Sequence, residues 1–533
     1  MSASQGQLDV EQDSEMSTHW TFPSRIAFSY AFIACLFTQC FPSHCGVFAQ
    51  SSETATPASA SRGRELFRKV WTEQGTSRQT ETTAEPDGLG PLFNADSCVA
   101  CHNLNGVGGA GDNSTNVLLL SVLPRHTSKG KHRLDEQAVK SMFFHAKEIH
   151  SSLSKTNTVV LHRSSTDPAS YVAWQNELLG FKTRKNATEQ QVIEKFAKNQ
   201  TDLLSKTPIF RVRKSLERDR FTIQVSRRNT PSLFGAGLIE LIPDKVIREI
   251  ANRQANSKGP VKGQLAKTAN NEIGKFGWRG EKSSIRQFTI EACAVELGLS
   301  NKSHLQASVP HETGPTTELG PSPFDEPPAV VGLEPIPESP PTTQREYDVS
   351  EQEIADLIQF ITELPPPEGA RKALGKDHDL GEALLDRINC TQCHVRQVGH
   401  LAGIYSDFLL HDMGSDLADA AGAINIVRRR FTVTDEIQIK DAKLWQTPPL
   451  WDVGSSAPYL HDGRAPDIDT AIKMHGGEAS ESVSLYRKLK PKDKQRIVAF
   501  LKTLGAKAER PFSASGGWSS STQSRGILAG RHR

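Results

Sequence analysis

The chain has 533 residues, a formal charge of +2 and a hydrophobic fraction of 37%. A balance this close to neutral excludes the basic surface of a nucleic-acid binder, and nothing in the composition marks a low-complexity or fibrous protein. The length suffices for roughly two to four domains with real cores.

Residues 1–49 read as an export signal. Arg25 precedes an apolar run from Ile26 to Phe41, and Val47-Phe48-Ala49 offers small residues for cleavage. The run is short for a membrane span, and no later stretch reaches about 18 apolar residues. A cleaved leader and an exported, periplasmic mature protein without a stable span are therefore expected, with an uncleaved anchor as the alternative. Residues 50–62, rich in Ser, Thr and Ala, read as a flexible lead-in. Two copies of one helical module follow, at 63–366 and 376–506, the first with long insertions. Strand signals are sparse, and the expected fold is mostly α. A Pro-rich excursion at 301–347 and a disordered tail at 507–533 complete the chain.

The modules are read from an internal repeat. Gly63-x-x-Leu66-Phe67 matches Gly381-x-x-Leu384-Leu385, and Thr230-Pro231-x-Leu233-x-x-x-Gly237 matches Thr447-Pro448-x-Leu450-x-x-x-Gly454. Phe276-x-Trp278-x-Gly280 matches Tyr459-x-His461-x-Gly463. Each half closes on an amphipathic helix. Ile354, Leu357, Ile358 and Ile361 carry the apolar face of the first, and Ile497, Phe500, Leu501 and Leu504 that of the second. Ser350-x-x-Glu353 predicts a capping box for the first, and Pro491 suits the opening turn of the second.

Of eight cysteines, three lie in the leader, Cys293 stands alone, and four form two Cys-x-x-Cys-His motifs, Cys98–His102 and Cys390–His394. That leaves no disulfide framework. Two thiols at this spacing can each add to one haem vinyl group, which places the following His beneath the ring as an axial iron ligand. A four-thiolate zinc site is the competing reading, but the two pairs sit in separate modules and each is followed at once by His. A thioredoxin-like pair lacks its βαβ surroundings. The expectation is two covalently bound c-type haems.

A family resemblance carries this further. Gly90-Pro91-Leu92-Phe93-Asn94, Asn229 to Glu240, Phe276-Gly277-Trp278, Leu410-His411-Asp412-Met413-Gly414, His461-Asp462-Gly463-Arg464 and His475-Gly476-Gly477-Glu478 resemble the di-haem oxidoreductase family, related to bacterial di-haem cytochrome c peroxidases. The resemblance implies two cytochrome c-like domains. It also implies a closed electron-transfer haem on His394 and a peroxide-reducing haem on His102. Those peroxidases place the second ligand of the closed haem just before a Gly, and alignment on Ala471 and Gly476 puts His475 there, with Met474 one residue off. Glu296, in Val295-Glu296-Leu297-Gly298, fits their acid–base Glu, although the spacing is one residue short, and Gln287 has a counterpart. A carboxylate inside so apolar a run needs a partner or a task. Trp278 resembles their relay between haems; a packed core aromatic is its plain alternative.

His411 and His461 read as structural, and Glu240 receives no role. The relatives hold a calcium ion between domains, which extends to this chain as an expectation although no compact acidic loop marks a site. The implied electron partner is a small cytochrome or copper protein, or the substrate is itself a protein. A rival reading is an electron carrier with both haems six-coordinate, His126, His132, His145, His150 or His162 supplying the extra ligand.

Overall fold

The computed structural model describes residues 57–72, 88–124, 136–147, 149–179, 209–212, 221–306, 347–367, 376–428, 435–439 and 441–505. All belong to the unit Ala55–Arg533. The leader, most of the Pro-rich excursion, the tail, His126 and His132 fall outside the described residues.

The repeat in the sequence is a repeat of packing. The helix Pro57–Arg68 crosses the helix Glu351–Glu363, and the helix Lys376–Arg387 crosses Pro491–Lys502. A glycine sits at each crossing. A Cβ on Gly63 would overlap the Asp356 carbonyl, and one on Gly381 would come within 2.5 Å of the Arg496 carbonyl. The next repeated glycine in each half obeys the same rule: Gly237 abuts Thr362 and Gly454 abuts Lys502, each near the end of its closing helix. The Ser350–Glu353 capping box is present, and Pro491 opens its helix.

Two expectations need correction. Pro57 to Arg62 are not a loose lead-in but the opening of the first helix. There, Arg62 pairs with Asp356. The insertion in the first half is also more than loop. Val117–Pro124, Thr158–Val160, Ile209–Val212 and Phe221–Arg228 form a four-stranded antiparallel sheet, with Leu120 opposite Val159 and Val225. Helices Glu136–Ala146 and Pro168–Leu179 close its core through Met142, Tyr171 and Trp174, with Leu153 from the turn Ser151–Ser154 between them in sequence. The run Val117-Leu-Leu-Leu-Ser-Val-Leu is buried almost throughout, so it lacks the alternation that marks a half-exposed strand.

Trp445, Arg228 and Arg279 join the two halves. Both guanidiniums lie over the Trp445 ring, at 5.1 and 4.3 Å from its centre. Arg228 also pairs with the buried Asp419, which accepts a hydrogen bond from Gln224 at 3.1 Å.

Candidate haem sites

Each Cys-x-x-Cys-His lies on one turn of helix, Cys98–Cys101 and Cys390–Gln392, and all four thiols are free of disulfides. The following histidines are held alike. His102 Nδ1 donates to the Gly109 carbonyl at 3.2 Å and His394 Nδ1 to the Tyr405 carbonyl at 2.9 Å. Burial pushes both imidazoles down to about 4, so they are neutral at pH 7. A neutral imidazole with Nδ1 occupied presents Nε2 to a metal.

In the second half that Nε2 has somewhere to point. A cavity of about 300 Å³ is lined by Cys390, Cys393, His394, Ile472 and His475, among others. His475 closes the helix Ile468–Met474, its Nδ1 donating to the Ala471 carbonyl at 2.8 Å. It is close enough to His394 to depress that group further. Met474 is not among the lining residues, whereas Met413, which the sequence reading did not single out as a ligand, is. Two neutral imidazoles with fixed Nδ1–H groups, two free thiols and apolar walls are a donor set that fits a covalently held haem.

The flanking histidines have other tasks. Burial opposes a charge on His411, but hydrogen bonds to Asp407 at 3.0 Å and Glu478 at 2.8 Å outweigh it and raise its pKa to about 12. His461 stacks on Trp445 with ring centres 3.7 Å apart. Among the described residues Cys393, Asp407 and His411 form one close group of metal-ligand types. A thiol–imidazole set with one carboxylate is not the oxygen cage that calcium requires.

Trp278 lines the same cavity and donates from Nε1 to the Asn229 carbonyl at 2.8 Å. Asn229, Thr230 and Pro231 also line it, while the Pro231 backbone hydrogen-bonds His102. One short segment therefore touches the surroundings of both histidines, and Trp278 is hydrogen-bonded to it from the His394 side.

The repeat continues into the site. Phe276 bridges Lys282 and Tyr459 bridges Ala465, with Gly280 and Gly463 both at positive φ inside the turn. Four residues after each glycine comes an N-cap, Ser284 or Asp467, and then a helix, Ile285–Glu296 or Ile468–Met474. Counting from the caps, Ala292 occupies the position that His475 holds in the second half. Glu296 follows one turn later on the same helix face. Its carboxyl is half-buried and pushed up by burial, with Asn94 and Arg163 pulling the other way. Its charge is near enough to help raise the Cys101 thiol, which puts it in the neighbourhood of the first Cys-x-x-Cys-His motif.

Other candidates serve the scaffold. Gln287 Oε1 accepts from Ser283 N–H at 3.1 Å, in the turn that opens Glu296's helix. Glu240 Oε1 accepts from Ile285 N–H at 2.8 Å and caps that helix. Cys293 is core filling, its thiol pushed up to about 12 by burial. His145 and His150 are buried within the insertion, and His150 accepts from Ser152 N–H. His162 donates from Nε2 to the Val295 carbonyl at 2.8 Å. Asn94, Arg163, Asp407 and Glu478 were missed as site residues. Asn94 and Glu478 stood in family-like stretches, while nothing near Arg163 in the chain signals its place.

Two Cys-x-x-Cys-His turns with buried, oriented imidazoles, the second of them facing a cavity that a further imidazole lines, mark a c-type haem oxidoreductase. The chain belongs to the family described as "Di-haem oxidoreductase, putative peroxidase", whose model matches residues 210–504. That match includes Trp278, Glu296 and the second haem motif, and begins after the first. Over 144 residues the chain is 28% identical to the methylamine utilization protein MauG of Methylorubrum extorquens, covering 26% of this chain and 37% of that protein. Over 139 residues it is 27% identical to the cytochrome c551 peroxidase of Nitrosomonas europaea, covering 26% and 36%. The chain thus spans little more than a third of these relatives. Among solved structures it resembles a hydrazine synthase of Kuenenia stuttgartiensis (22% identity, 30% of this chain and 58% of that one, TM-score 0.21). It also resembles a MauG-like protein associated with microbial copper homeostasis (20% identity, 30% and 55%, TM-score 0.22).

Proposed function

We propose that the chain is an exported di-haem c-type cytochrome, built from two cytochrome c-like domains, that reduces a peroxide at the His102 site. The observation that carries this reading is the non-equivalence of two equivalent helix positions: His475 in the second half, Ala292 in the first. An imidazole at that position would occupy the remaining ligand place of the second haem and leave that haem to electron transfer. A methyl group cannot ligate iron, so the first site stays open to a small ligand.

When bound, the haems supply one-electron redox chemistry and the iron that takes the peroxide. The chain supplies the rest. His102 and His394 would hold the haem irons through Nε2, their rings oriented by the Gly109 and Tyr405 carbonyls. Glu296 carries a proton from the near peroxide oxygen to the far one, so that the O–O bond breaks with loss of water. Overall, one peroxide, two electrons and two protons give two waters. The electrons would come from a small cytochrome or copper protein that docks near the His394 site, and Trp278 would serve as the relay toward the His102 site. Burial holds the Glu296 carboxyl closer to working pH, where proton transfer is most effective. Among the described residues no helix is long and apolar enough to cross a membrane.

The test is Glu296→Gln in protein carrying both haems. Loss of peroxide turnover by roughly 10² to 10⁴-fold with unchanged spectra is expected, the usual worth of a positioned acid–base group. Near-normal turnover rejects the assignment.

A further inference from the structure

Glu296 is held by a side chain from a different part of the chain. The Asn94 amide donates to Glu296 Oε2 at 2.6 Å, and the Asn94 backbone N–H donates to the Glu296 carbonyl at 2.7 Å. The other end of the same amide is also committed: Asn94 Oδ1 accepts from Arg163 N–H at 3.1 Å. With a carboxylate on one side and an N–H on the other, only one orientation of the amide satisfies both. Asn94 is buried and stands four residues before Cys98, so it ties the carboxylate to the strand that leads into the first haem motif. The Arg163 guanidinium is anchored on the Ser114 and Asn116 carbonyls, within electrostatic range of Glu296 and Cys101.

We propose that Asn94 is a positioning residue for the peroxide reaction: it fixes one oxygen of Glu296 so that the other is presented to the substrate, with Arg163 as a stationary counter-charge. The inference rests on the reading of Glu296 as the proton carrier. A carboxylate free to rotate about its last torsion would lose much of its catalytic worth, because proton transfer needs hydrogen-bond geometry. A hydrogen bond from a neutral amide also favours the ionised form that burial disfavours. The charged groups around Glu296 are Arg163 and the half-buried Glu291, itself paired with Lys282. Cys101, the remaining neighbour, does not titrate once it is a thioether.

Asn94→Asp separates this role from a structural one. It keeps the acceptor for Arg163 N–H, so the backbone tie survives, but it faces Glu296 with a second carboxylate instead of a donor. With both haems retained, peroxide turnover at pH 7 should fall by roughly 10 to 100-fold, part of the full worth of the acid–base group. The acid limb of the pH profile should move to higher pH, because Glu296 then gives up its proton less readily. Cyanide association with the ferric first haem should slow in parallel, since HCN must surrender a proton to bind; this reads the site without turnover. In a Glu296→Gln background, Asn94→Asp should change each rate by less than about twofold, because the two groups act as a unit. If Asn94→Asp does not load haem, Asn94→Gln, which displaces the amide by one methylene, is read by the same measurements. Wild-type pH profile and cyanide rates in the Asn94 variant, alongside an impaired Glu296→Gln, overturn the role of Asn94 alone. Near-normal Glu296→Gln overturns both readings.

Discussion

The helices Ile285–Glu296 and Ile468–Met474 begin from the same bridged turn, with a glycine at positive φ and an N-cap four residues on. In the second half the helix stops at His475, whose imidazole lies beside His394 over a cavity with apolar walls. In the first half the helix runs on past Ala292 and delivers a carboxylate, held by Asn94 and faced by Arg163. One scaffold thus carries an imidazole in one copy and a methyl group followed by a carboxylate in the other: under the proposed function, a ligand and an open position with its proton carrier. Duplicated folds diverge in this way because a few side chains on a rigid frame decide the chemistry, while crossings such as those at Gly63 and Gly381 preserve the frame.

The largest effect should come from removing one copy's anchor. Cys98→Ala with Cys101→Ala should leave a single covalent haem after acid–acetone extraction, and Cys390→Ala with Cys393→Ala should do the same from the other side. Zinc without haem in either protein would end the comparison. Exchanging the distinguishing residues should come next. His475→Ala should turn a low-spin signal high-spin, and Met474→Leu should not. Ala292→His should close the first haem, adding a low-spin signal and cutting peroxide turnover by about as much as Glu296→Gln, roughly 10² to 10⁴-fold. An unchanged first-haem spectrum in Ala292→His would show that the helix positions are not equivalent.

Stability effects are smaller and probe the seam and the frame. Burial alone would raise the Asp419 carboxyl, but Arg228 and the Ala421 N–H hold it well below the usual carboxylate range. A depressed carboxyl stabilises the fold above its unfolded pKa of about 4, and that contribution fades as pH falls toward the folded value. Asp419→Asn should therefore cost roughly 3–5 kcal/mol near pH 7, the worth of a broken buried pair. The deficit in Tm should shrink below about pH 4, and a pH-independent deficit would mean that the charge is not what holds the seam. Last, Gly63→Ala and Gly381→Ala should each cost about 1–3 kcal/mol by overpacking a helix crossing. Tolerance at one crossing and not the other, read by thermal unfolding, would show that the two frames have diverged too.

What the sequence determined by itself is local or repeated. The Cys-x-x-Cys-His spacing, the Ser350 capping box, the Pro491 start and the paired glycines are each legible because their physics acts over a few residues or recurs at a second place. His475 and Glu296 were legible as candidates through resemblance. Only the tertiary structure decided which neighbours they have: His394 and the shared cavity for one, Asn94 and Arg163 for the other. Asn94 and Glu296 lie 202 residues apart, and no pattern within either segment announces a hydrogen bond between them. The insertion's sheet escaped for a related reason, since Val117–Pro124 is buried almost throughout and shows no alternation. Glu240 and Gln287, read as a family-like carboxylate and a catalytic counterpart, are seen in the fold to hold the start of Glu296's helix. Periodicity and spacing encode what a chain does with its near neighbours; burial, charge partners and site geometry arise when distant segments meet, and there the structure decides.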